Sequence, residues 1–531
     1  MPQQFFARTW NQIHPTLVVG TIVVLVARIG WLSDDSLITL RTALNVANGW
    51  GPGFNASESV QSYTHPLWFL LWLALGWISD QWIASVIFLS LFATTVALII
   101  VLMIPSSWQA RFSLLALIVL SNSFMEYSTS GLENPLSHLV VGTLLLVVMR
   151  QDEPKEVSHG AALGTTFALV ALTRLDLILL VIPVLLVWTL RATRKACISA
   201  ISFFIVPIAT WSLWSYLAYN SLLPNTFLAK RNLDISAITL FDQGLFYLRV
   251  SLTHDYMGAL MLFSAVLFSV LVRNRFTAAC SAGTILYLAY VASNGGDFMV
   301  GRFLSVPVYV SVISIAVSLQ DLRQQSAWRR LKRLATGSVV LRGAVISAIV
   351  LFLGVVLIPS AVSLSRDQSP RFNWERPESR GIADERPEFV QRGNGFMRFF
   401  REFSSATSST FDTSLMDPSI SEISRRANGW PRKSDSFPEW PLKVEVRCGL
   451  LGGKAIVSGP LVHWVDPCGL TDRVIASIRF EPPTTGWRVG HFEREIPAGY
   501  LQAVAENDPS FIFDAKVRND AAEIWRAIRD D

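Results

Sequence analysis

Long apolar runs separated by short polar loops recur along the first two thirds of the chain. A helix that crosses a hydrocarbon core of roughly 30 Å needs about 20 apolar residues, and many of the runs approach or reach that length. The pattern therefore predicts helices that cross or enter a membrane. The runs are residues 16–31, 66–79, 83–104, 112–125, 135–149, 159–173, 177–190, 198–218, 257–272, 277–293, 303–320 and 343–361.

Lysine and arginine in the short loops predict how these helices are oriented, because such loops stay on the cytoplasmic side. We assign loops 150–156, 191–195, 273–275 and 328–334 to the cytoplasm. This assignment puts everything after residue 361 outside, whereas Arg8 favours a cytoplasmic N-terminus. Twelve crossings would put both ends on the same side, so one of the twelve runs does not span the membrane. Run 66–79 begins with a proline and has a length typical of re-entrant or interfacial helices. We therefore predict an α-helical polytopic protein of the plasma (inner) membrane, with about eleven spans, no cleaved leader and an extracytoplasmic C-terminus.

The pattern changes after residue 361. Residues 362–440 are rich in Ser, Arg, Pro and Glu, and the strand-like pieces LKVEV, KAIVSG and VIASIRF follow between residues 441 and 500. We predict a membrane domain over 1–361 and a β-rich extracytoplasmic domain over 362–531. Cys448 and Cys468 lie in that second domain, in a compartment where disulfides persist, so we expect a bridge between them; two buried thiols are the alternative.

Composition agrees with membrane insertion and argues against nucleic-acid binding. Of the 531 residues, 51% are hydrophobic and 16% charged, whereas soluble domains carry about 25% charged residues. Much of the net charge of +5 lies in the cytoplasmic loops, where membrane topology alone requires it. The sequence contains no glycine-rich nucleotide-binding motif. We therefore expect a lipid bilayer and no nucleic acid among the partners.

Ionisable residues gather in the loops that we assign to the outer face, where their cost near a membrane usually marks function. Because they come from separate loops that open on one face, they predict a site for a substrate with a polar head group in water and a lipid tail in the membrane. A carboxylate there can act as a general base, and cations can neutralise a leaving phosphate. The residues are Asp34, Asp35, Arg41, His65, Glu133, Arg174, Asp176, Lys230, His254, Asp255, Asp297 and Arg302.

For some of these residues a purely structural role is an alternative to a role in the site. Asp34 is suited to cap a helix, Glu133 to cap the span that begins at Asn134, and Arg174 to pair with Asp176. Residues 36–48 have apolar positions at helical spacing and polar ones opposite, which predicts an amphipathic helix lying in the interface.

Several stretches resemble the GT-C class of integral-membrane glycosyltransferases, and within it the cell-wall arabinofuranosyltransferases of mycobacteria and corynebacteria. In the tail, DPCGLTDRVIA and WRVGHFEREIPAGY resemble the enzymes of that group that add terminal β-(1→2)-arabinofuranose. The resemblance covers most of the chain except 362–440 and the last thirty residues. The other stretches are residues 34–68, TSGLENPL (129–136), LTRLD (172–176), LPNTFLAK (223–230) and SNGGDFMVGRFLSVP (293–307).

The resemblance implies a GT-C fold, a decaprenylphosphoryl-β-D-arabinofuranose donor and an arabinan acceptor in arabinogalactan and lipoarabinomannan. It also implies an extracytoplasmic active site and a carbohydrate-binding C-terminal domain. Asp34 or Asp35 would be the catalytic carboxylate, with Arg41 and His65 beside the donor. From their chemistry, Lys230 and Arg302 suit the phosphate. The remaining expected site residues are Asp297, His254 and Asp255 near the sugar, and Glu133, Arg174, Asp176, Asn225 and His491 as acceptor or structural support.

Stereochemistry bears on the two adjacent acids. A β-phospho donor that gives a β-linked product retains configuration, which requires either a carboxylate nucleophile and double displacement or entry of the acceptor on the face that the phosphate leaves. Because successive side chains diverge, we expect one of Asp34 and Asp35 to be catalytic and the other structural or acceptor-binding. We predict no cofactor. No coordination spacing demands a metal, although a divalent cation beside Asp34, Asp35 and Asp297 is not excluded.

Three other functions stay open at this point. A transferase for another polyprenyl-phosphate sugar, such as mannose, would need the same groups, because pocket shape sets the choice of sugar. A lipid-sugar transporter would be expected to show an internal repeat and polar groups near the bilayer midplane, and neither is seen in the sequence. The tail alone would suit a scaffold that recruits other cell-wall enzymes, which a glycan-binding assay would distinguish.

Overall fold

The computed structural model describes residues 17–56, 58–104, 108–324, 379–397, 399–400, 418–434, 443–482 and 487–529. The described chain is mainly helical. The helices of the N-terminal part are α1 (Leu17–Ile29), α2 (Asp34–Ala47), α3 (Pro66–Ser79), α4 (Trp82–Met103), α5 (Trp108–Val119), α6 (Asn122–Tyr127), α7 (Asn134–Arg150), α8 (Val157–Thr173), α9 (Leu177–Thr189), α10 (Arg194–Tyr219), α11 (Asn225–Arg231), α12 (Ala237–His254), α13 (Tyr256–Val272), α14 (Arg275–Ser293) and α15 (Ser305–Gln324).

The described tail adds short elements to this helical body. They are α16 (Glu385–Phe389), α17 (Ile420–Asn428), β1 (Lys443–Val446), α18 (Leu451–Ser458), β2 (Val462–Val465), α19 (Arg473–Ser477), α20 (Tyr500–Glu506) and α21 (Ala515–Arg529). β1 and β2 pair in parallel, with Lys443 opposite Val462.

The membrane helices begin and end close to the predicted apolar runs, except that the run 112–125 is divided between α5 and α6. By length and composition, α4, α10, α14 and the stretch Arg302–Asp321 can each cross a membrane, and α12 with α13, bent by 105°, would make a fifth span. Shorter apolar helices, among them α1, α3, α7, α8 and α9, occupy other predicted runs. The count of eleven spans stays a prediction, and the run 343–361 and the basic loop 328–334 lie outside the described residues.

Two regions of the N-terminal part differ from their predictions. The region 219–256 lies between the apolar runs 198–218 and 257–272, so we expected a loop on the outer side there. It contains α11 and α12, because an amphipathic helix carries too many polar residues to stand out as a span. The helix predicted at 36–48 forms as α2, but Ser36–Asn45 are all buried. It packs on α3 and on the tail helix α18, with Ile38 in an apolar cluster with Leu451 and Trp464 of the tail, so it does not lie open in the interface.

The C-terminal part is not β-rich in the residues that the structure describes, and this corrects the prediction. LKVEV supplies β1, but KAIVSG falls mainly in α18 and VIASIRF begins with α19. Packing against α2 outweighs the β-propensity of these short pieces, which depends on context. The disulfide between Cys448 and Cys468 is present, with Cα atoms 5.3 Å apart.

The tail shares part of its core with the helical body. Phe396, Ile420, Ile423 and Ile456 belong to the same buried apolar cluster as α2, α3 and α4. A second cluster, which includes Val465, Ile475, Tyr500 and Trp525, holds the end of the tail together. The tail is therefore fixed against the helical body, and this contact shapes the site described next.

Candidate active site

The two adjacent acids occupy the first turn of α2, and their side chains point to different places. Ser33 caps the helix, because its hydroxyl accepts a hydrogen bond from the backbone N–H of Ser36 at 3.3 Å. Asp34 therefore is not the cap. Successive residues of an α-helix are rotated by about 100°, so Asp34 and Asp35 cannot present their carboxylates to one atom of a substrate.

Asp34 binds the tail. Its carboxylate accepts hydrogen bonds from the backbone N–H groups of Gly452 at 2.8 Å and Gly453 at 2.9 Å, the first turn of α18, where a negative charge is favoured. Burial raises the pKa of Asp34 to about 6, although the two N–H groups oppose that shift. Both carboxylate oxygens are thus engaged in a structural contact.

Asp35 faces open space. Its side chain is 27% exposed, and its nearest cation is Arg302, whose Nη1 lies 3.9 Å from the carboxylate. Burial raises the pKa of Asp35, while Arg302 and Lys230 oppose that change. The side chain borders two cavities, of about 490 Å³ and about 1220 Å³, which we call the small and the large cavity. Asp34 also borders the large cavity, but both of its oxygens are held by the tail, so Asp35 is the acid of the pair whose carboxylate is free to contact a substrate.

Five charged side chains from three loops form one network beside Asp35. Glu133 is the buried centre: its Oε1 accepts hydrogen bonds from Arg174 at 2.8 Å and from Arg302 at 3.4 Å. Arg174 also makes a bidentate pair with Asp176, and Arg302 donates to Asp297 at 3.4 Å. Burial alone would raise the pKa of Glu133, but its cationic neighbours hold it well below the usual range.

His65 joins this network from the residue before α3. Its Nδ1 lies 3.2 Å from Oε2 of Glu133, and its Nε2 shares a hydrogen bond with the hydroxyl of Thr39 at 2.9 Å. Glu133 precedes α7 without capping it through its side chain. His65, Arg174, Asp176 and Arg302 all border the small cavity, as the sequence predicted for a common site.

The side chain of Lys230 carries a positive charge that is not paired with an acidic residue in the part of the chain that the structure describes. Lys230 ends LPNTFLAK on α11, is exposed, and borders the small cavity. It makes no hydrogen bond or ion pair with any residue that the structure describes, and the same holds for the adjacent Arg231. The small cavity thus offers two unpaired positive charges near Asp35, in addition to Arg302.

A single segment of the tail, 487–494, borders both cavities. Val489, Gly490 and Phe492 border the small cavity, whereas Arg488 and His491 border the large one. His491 meets Phe298 edge-on, with ring centres 4.5 Å apart. Burial, together with Arg488 and Lys230, lowers the pKa of His491 well below its usual value, so it is neutral at pH 7.

Arg41 and Asn225, two of the expected site residues, instead hold the architecture together. The Arg41 guanidinium donates to the backbone carbonyls of Phe54, Ala455 and Val462, which ties α2 to the tail. Asn225 donates to the carbonyl of Gly469 at 2.7 Å. Neither borders the small or the large cavity. Arg41 therefore does not lie beside the donor, which corrects the prediction. For Asn225 we expected either acceptor binding or structural support, and its contacts are structural.

His254, Asp255 and Asp297 are also removed from the sugar position expected for them. Nε2 of His254 lies 3.3 Å from Oε2 of Glu126, and Asp255 accepts from Ser121 Oγ at 2.6 Å and from the N–H of Gly258 at 2.8 Å. Asp297 lies under Arg302. None of the three borders either cavity, because their side chains satisfy buried partners of the neighbouring helices.

The charged groups around Asp35 also bear on a cation. A divalent ion would compete with the two N–H groups on Asp34 and with Arg302 on Asp297, so this set of carboxylates does not form an open ligand sphere. Asp384 lies with His254 and Glu126 in a buried group whose charged atoms are within 4.8 Å of one another. Because His254 already pairs with Glu126, we interpret that group as an internal ion cluster.

Sequence reasoning missed the residues that the tail brings to the large cavity. These include Glu385, Arg447, Trp487 and Arg488. Trp487 and Arg488 lie in WRVGHFEREIPAGY, one of the stretches that carry the resemblance. Glu385 lies in 362–440, which the resemblance does not cover. No local pattern marks it, because its place is fixed by contacts with residues far away in the sequence.

Comparisons with known proteins agree with a glycosyltransferase. Over 341 residues, 54% of the chain, it is 26% identical to a terminal β-(1→2)-arabinofuranosyltransferase of Corynebacterium glutamicum. Over 332 residues it is 25% identical to the protein of the same name from Mycobacterium tuberculosis. The aligned part spans 48% and 52% of these relatives, so the chain matches about half the length of each. No protein-family model matches the chain.

Among solved structures, the chain is similar to the oligosaccharyltransferase AglB of Archaeoglobus fulgidus, which was determined with an inhibitory peptide and a dolichol-phosphate. The two share 12% identity and a TM-score of 0.42 over 86% of this chain and 65% of that one. The apolar helices support a multi-pass membrane protein, and both sequence relatives are named as arabinofuranosyltransferases.

Proposed function

We propose that the protein transfers arabinofuranose from decaprenylphosphoryl-β-D-arabinofuranose to non-reducing arabinan ends of arabinogalactan and lipoarabinomannan, forming terminal β-(1→2) linkages. The observation that carries the proposal is the position of Asp35, on the border of both a small cavity with free cations and a large cavity beside the tail. The sugar and linkage follow the names of the two sequence relatives, and the donor and acceptor follow the motif resemblance.

The small cavity suits the donor. Lys230 and Arg231 offer unpaired positive charge to the phosphate, and Arg302 lies close enough to Asp35 to face the bond that breaks. Fixed cations at this point stabilise the charge that develops on a leaving phosphate. Leu223 and Phe227, which border the same cavity, are 37% and 45% exposed and offer an apolar edge to the prenyl chain.

Asp35 would act at the anomeric carbon of that donor. A carboxylate there either stabilises the positive charge of an oxocarbenium-like transition state or attacks the carbon as a nucleophile. The Glu133 network does not compete for this task, because its charges are already paired around Arg174 and Arg302. It would keep Arg302 in place while the donor charge changes.

The large cavity suits the acceptor. At about 1220 Å³ it has room for several sugar rings, and it combines aromatic side chains such as Phe298 and Trp487 with charged groups such as Arg447 and Glu388. Charged groups make strong hydrogen bonds with hydroxyls. The acceptor end would then meet the donor sugar where both cavities reach Asp35.

The test is a cell-free assay with purified protein, synthetic polyprenylphosphoryl-arabinofuranose and a short α-linked arabinofuranosyl acceptor. We expect a product with a new β-(1→2) linkage, identified by methylation analysis and NMR, and its loss in Asp35→Asn. Polyprenylphosphoryl-mannose serves as the competing donor. Transfer from that lipid alone would move the proposal to another sugar, and no transfer from any lipid-linked sugar would overturn it.

A further inference from the structure

Residues 379–397, which we call the strap, lie across the loop that precedes α15. The backbone N–H of Ala383 donates to the carbonyl of Phe298 at 2.7 Å, and the N–H of Val300 donates to Ala383 at 3.0 Å. On its other side, Arg386 donates to the carbonyl of Ile29 at 2.8 Å. The strap is thus held between the end of α1 and the loop that carries Asp297 and Arg302.

This position places Glu385 in the wall of the large cavity. Glu385 is only 8% exposed, and it borders the same cavity as Asp35. Its Oε1 accepts a hydrogen bond from Nη2 of Arg488 at 2.8 Å, while Arg488 stacks over Phe298 at 4.2 Å. Oε2 of Glu385 makes no hydrogen bond with any residue that the structure describes, so this carboxylate keeps a free acceptor.

The proposed transfer needs such a group. The acceptor hydroxyl must lose its proton when its oxygen bonds to the anomeric carbon, and Asp35 is needed at that carbon. Asp34 is held by two N–H groups, and Asp297 is paired with Arg302 and borders neither cavity. Among these buried carboxylates, Glu385 is the one with both a fixed position on the acceptor side and a free oxygen.

We propose that Glu385, held by Arg488, is the general base that takes the proton from the acceptor hydroxyl. In this step the acceptor oxygen forms a bond to the anomeric carbon of the sugar as the O–H bond breaks. The proton passes to Glu385. In a direct transfer, the prenyl phosphate leaves in the same step with the electron pair of its C–O bond. If Asp35 first binds the sugar covalently, the phosphate has already left in that earlier step, and the bond between Asp35 and the anomeric carbon breaks as its electron pair returns to the carboxylate. Asp35 and Glu385, and not the adjacent pair Asp34 and Asp35, would divide the roles of two carboxylates.

The electrostatic surroundings agree with this role. Burial raises the pKa of Glu385 to about 8; Arg488 opposes the shift, and the carboxylates of Asp35, Asp297 and Asp34 reinforce it. A base is most effective when its pKa lies near the pH at which it works. A carboxylate with an ordinary pKa would accept a hydroxyl proton less readily.

The inference rests on the proposed function and is tested beside it with Glu385→Gln and Glu385→Ala. Glu523→Gln is the control, because Glu523 is an exposed glutamate of the tail, on α21, and borders neither cavity. We expect Glu385→Gln to lower kcat with the glycan acceptor by about 10²- to 10⁴-fold, with the donor KM within about threefold. Glu523→Gln should stay within about threefold of wild type in both constants.

Azide distinguishes a lost base from a lost fold, because this anion attacks carbon without giving up a proton. Sodium azide added to Glu385→Ala should produce arabinofuranosyl azide and prenyl phosphate, whereas the glycan product stays absent. Absence of the azide product together with an unchanged donor KM, or a fully active Glu385→Gln, would overturn the role of Glu385. Failure of wild type and Glu523→Gln to transfer the sugar would instead overturn the proposed function.

Discussion

The separate directions of Asp34 and Asp35 predict opposite effects for two conservative substitutions. Asp35→Asn removes the charge that faces the anomeric carbon. We expect transfer to fall by about 10²- to 10⁴-fold, the range for a lost catalytic carboxylate, without a change in thermal stability. The same substitution one residue earlier should act on the tail and not on the chemistry.

The cost of Asp34→Asn follows from its two hydrogen bonds. The carboxylate accepts from Gly452 at 2.8 Å and Gly453 at 2.9 Å, but an asparagine has only one acceptor oxygen. One of the two N–H groups would then face an NH₂ donor, and an unsatisfied buried group costs about 1–3 kcal/mol. At 1.4 kcal/mol per factor of ten, that is about 5- to 150-fold in the equilibrium that holds α18 on α2.

Hydrogen–deuterium exchange of the α18 amides measures this equilibrium, and the cell-free transfer assay measures the chemistry. We expect Asp34→Asn to speed exchange in α18 by that factor while it retains most of the transfer activity, and Asp35→Asn to show the reverse. Equal losses of transfer in both variants, with unchanged exchange in α18, would refute the division of roles. Full activity of Asp35→Asn would refute the site.

Three further expectations concern charge. Lys230→Gln removes an unpaired cation from the small cavity, so the donor KM should rise about tenfold or more, the value of one charge-assisted contact, whereas Lys195→Gln on the opposite face should not change it. Because a base must be deprotonated and the pKa of Glu385 is raised to about 8, kcat should rise with pH up to about 8 and then level, and a flat profile would contradict the assignment. Transfer should survive EDTA; a loss that magnesium or manganese restores would show a metal requirement.

The apolar runs predicted most of the helices well, because a helix that lies in lipid must itself be composed mainly of apolar residues. The predicted run 66–79 coincides with α3 (Pro66–Ser79), and the run 159–173 nearly coincides with α8 (Val157–Thr173). By contrast, α12 carries Asp242, Gln243 and Arg249, and its mixed composition resembled a loop. A sequence pattern predicts a helix or strand most easily when that element does not depend on contacts with distant residues.

The tail was harder to predict because its elements depend on distant partners. KAIVSG has the β-branched residues typical of a strand, yet it forms most of α18 because Asp34, 418 residues from Gly452 in the chain, binds that helix at its first turn. Arg41 has the chemistry of a phosphate ligand, but three carbonyls enclose it. Residue type predicted that Asp35, Lys230 and Arg302 meet, and only the fold shows which way Arg41 points.

The contact between α2 and α18 also predicts that a residue remote from substrate controls activity. At Gly452, an added Cβ would lie 2.3 Å from the carbonyl oxygen of Asp34 and 2.8 Å from Cβ of Leu37. At Gly453, the nearest atoms to an added Cβ are side-chain carbons at 3.3 Å and 3.4 Å. Gly452→Ala therefore must push α18 away from α2, whereas Gly453→Ala needs only small shifts of Pro418 and Ile423.

We expect Gly452→Ala to speed amide exchange in α18 more than Asp34→Asn does, and to lower transfer. Asp34→Asn loses one of two hydrogen bonds and leaves α18 on α2 most of the time, whereas the added Cβ displaces α18 permanently from the helix that carries Asp35. Gly453→Ala should keep both close to wild type, since alanine is favoured over glycine in a helix by roughly 0.5–1 kcal/mol, which offsets the tighter contact. The comparison is informative because neither glycine borders the cavities. If Gly452→Ala transferred sugar at the wild-type rate while α18 exchanged freely, attachment of the tail would have no part in forming the site.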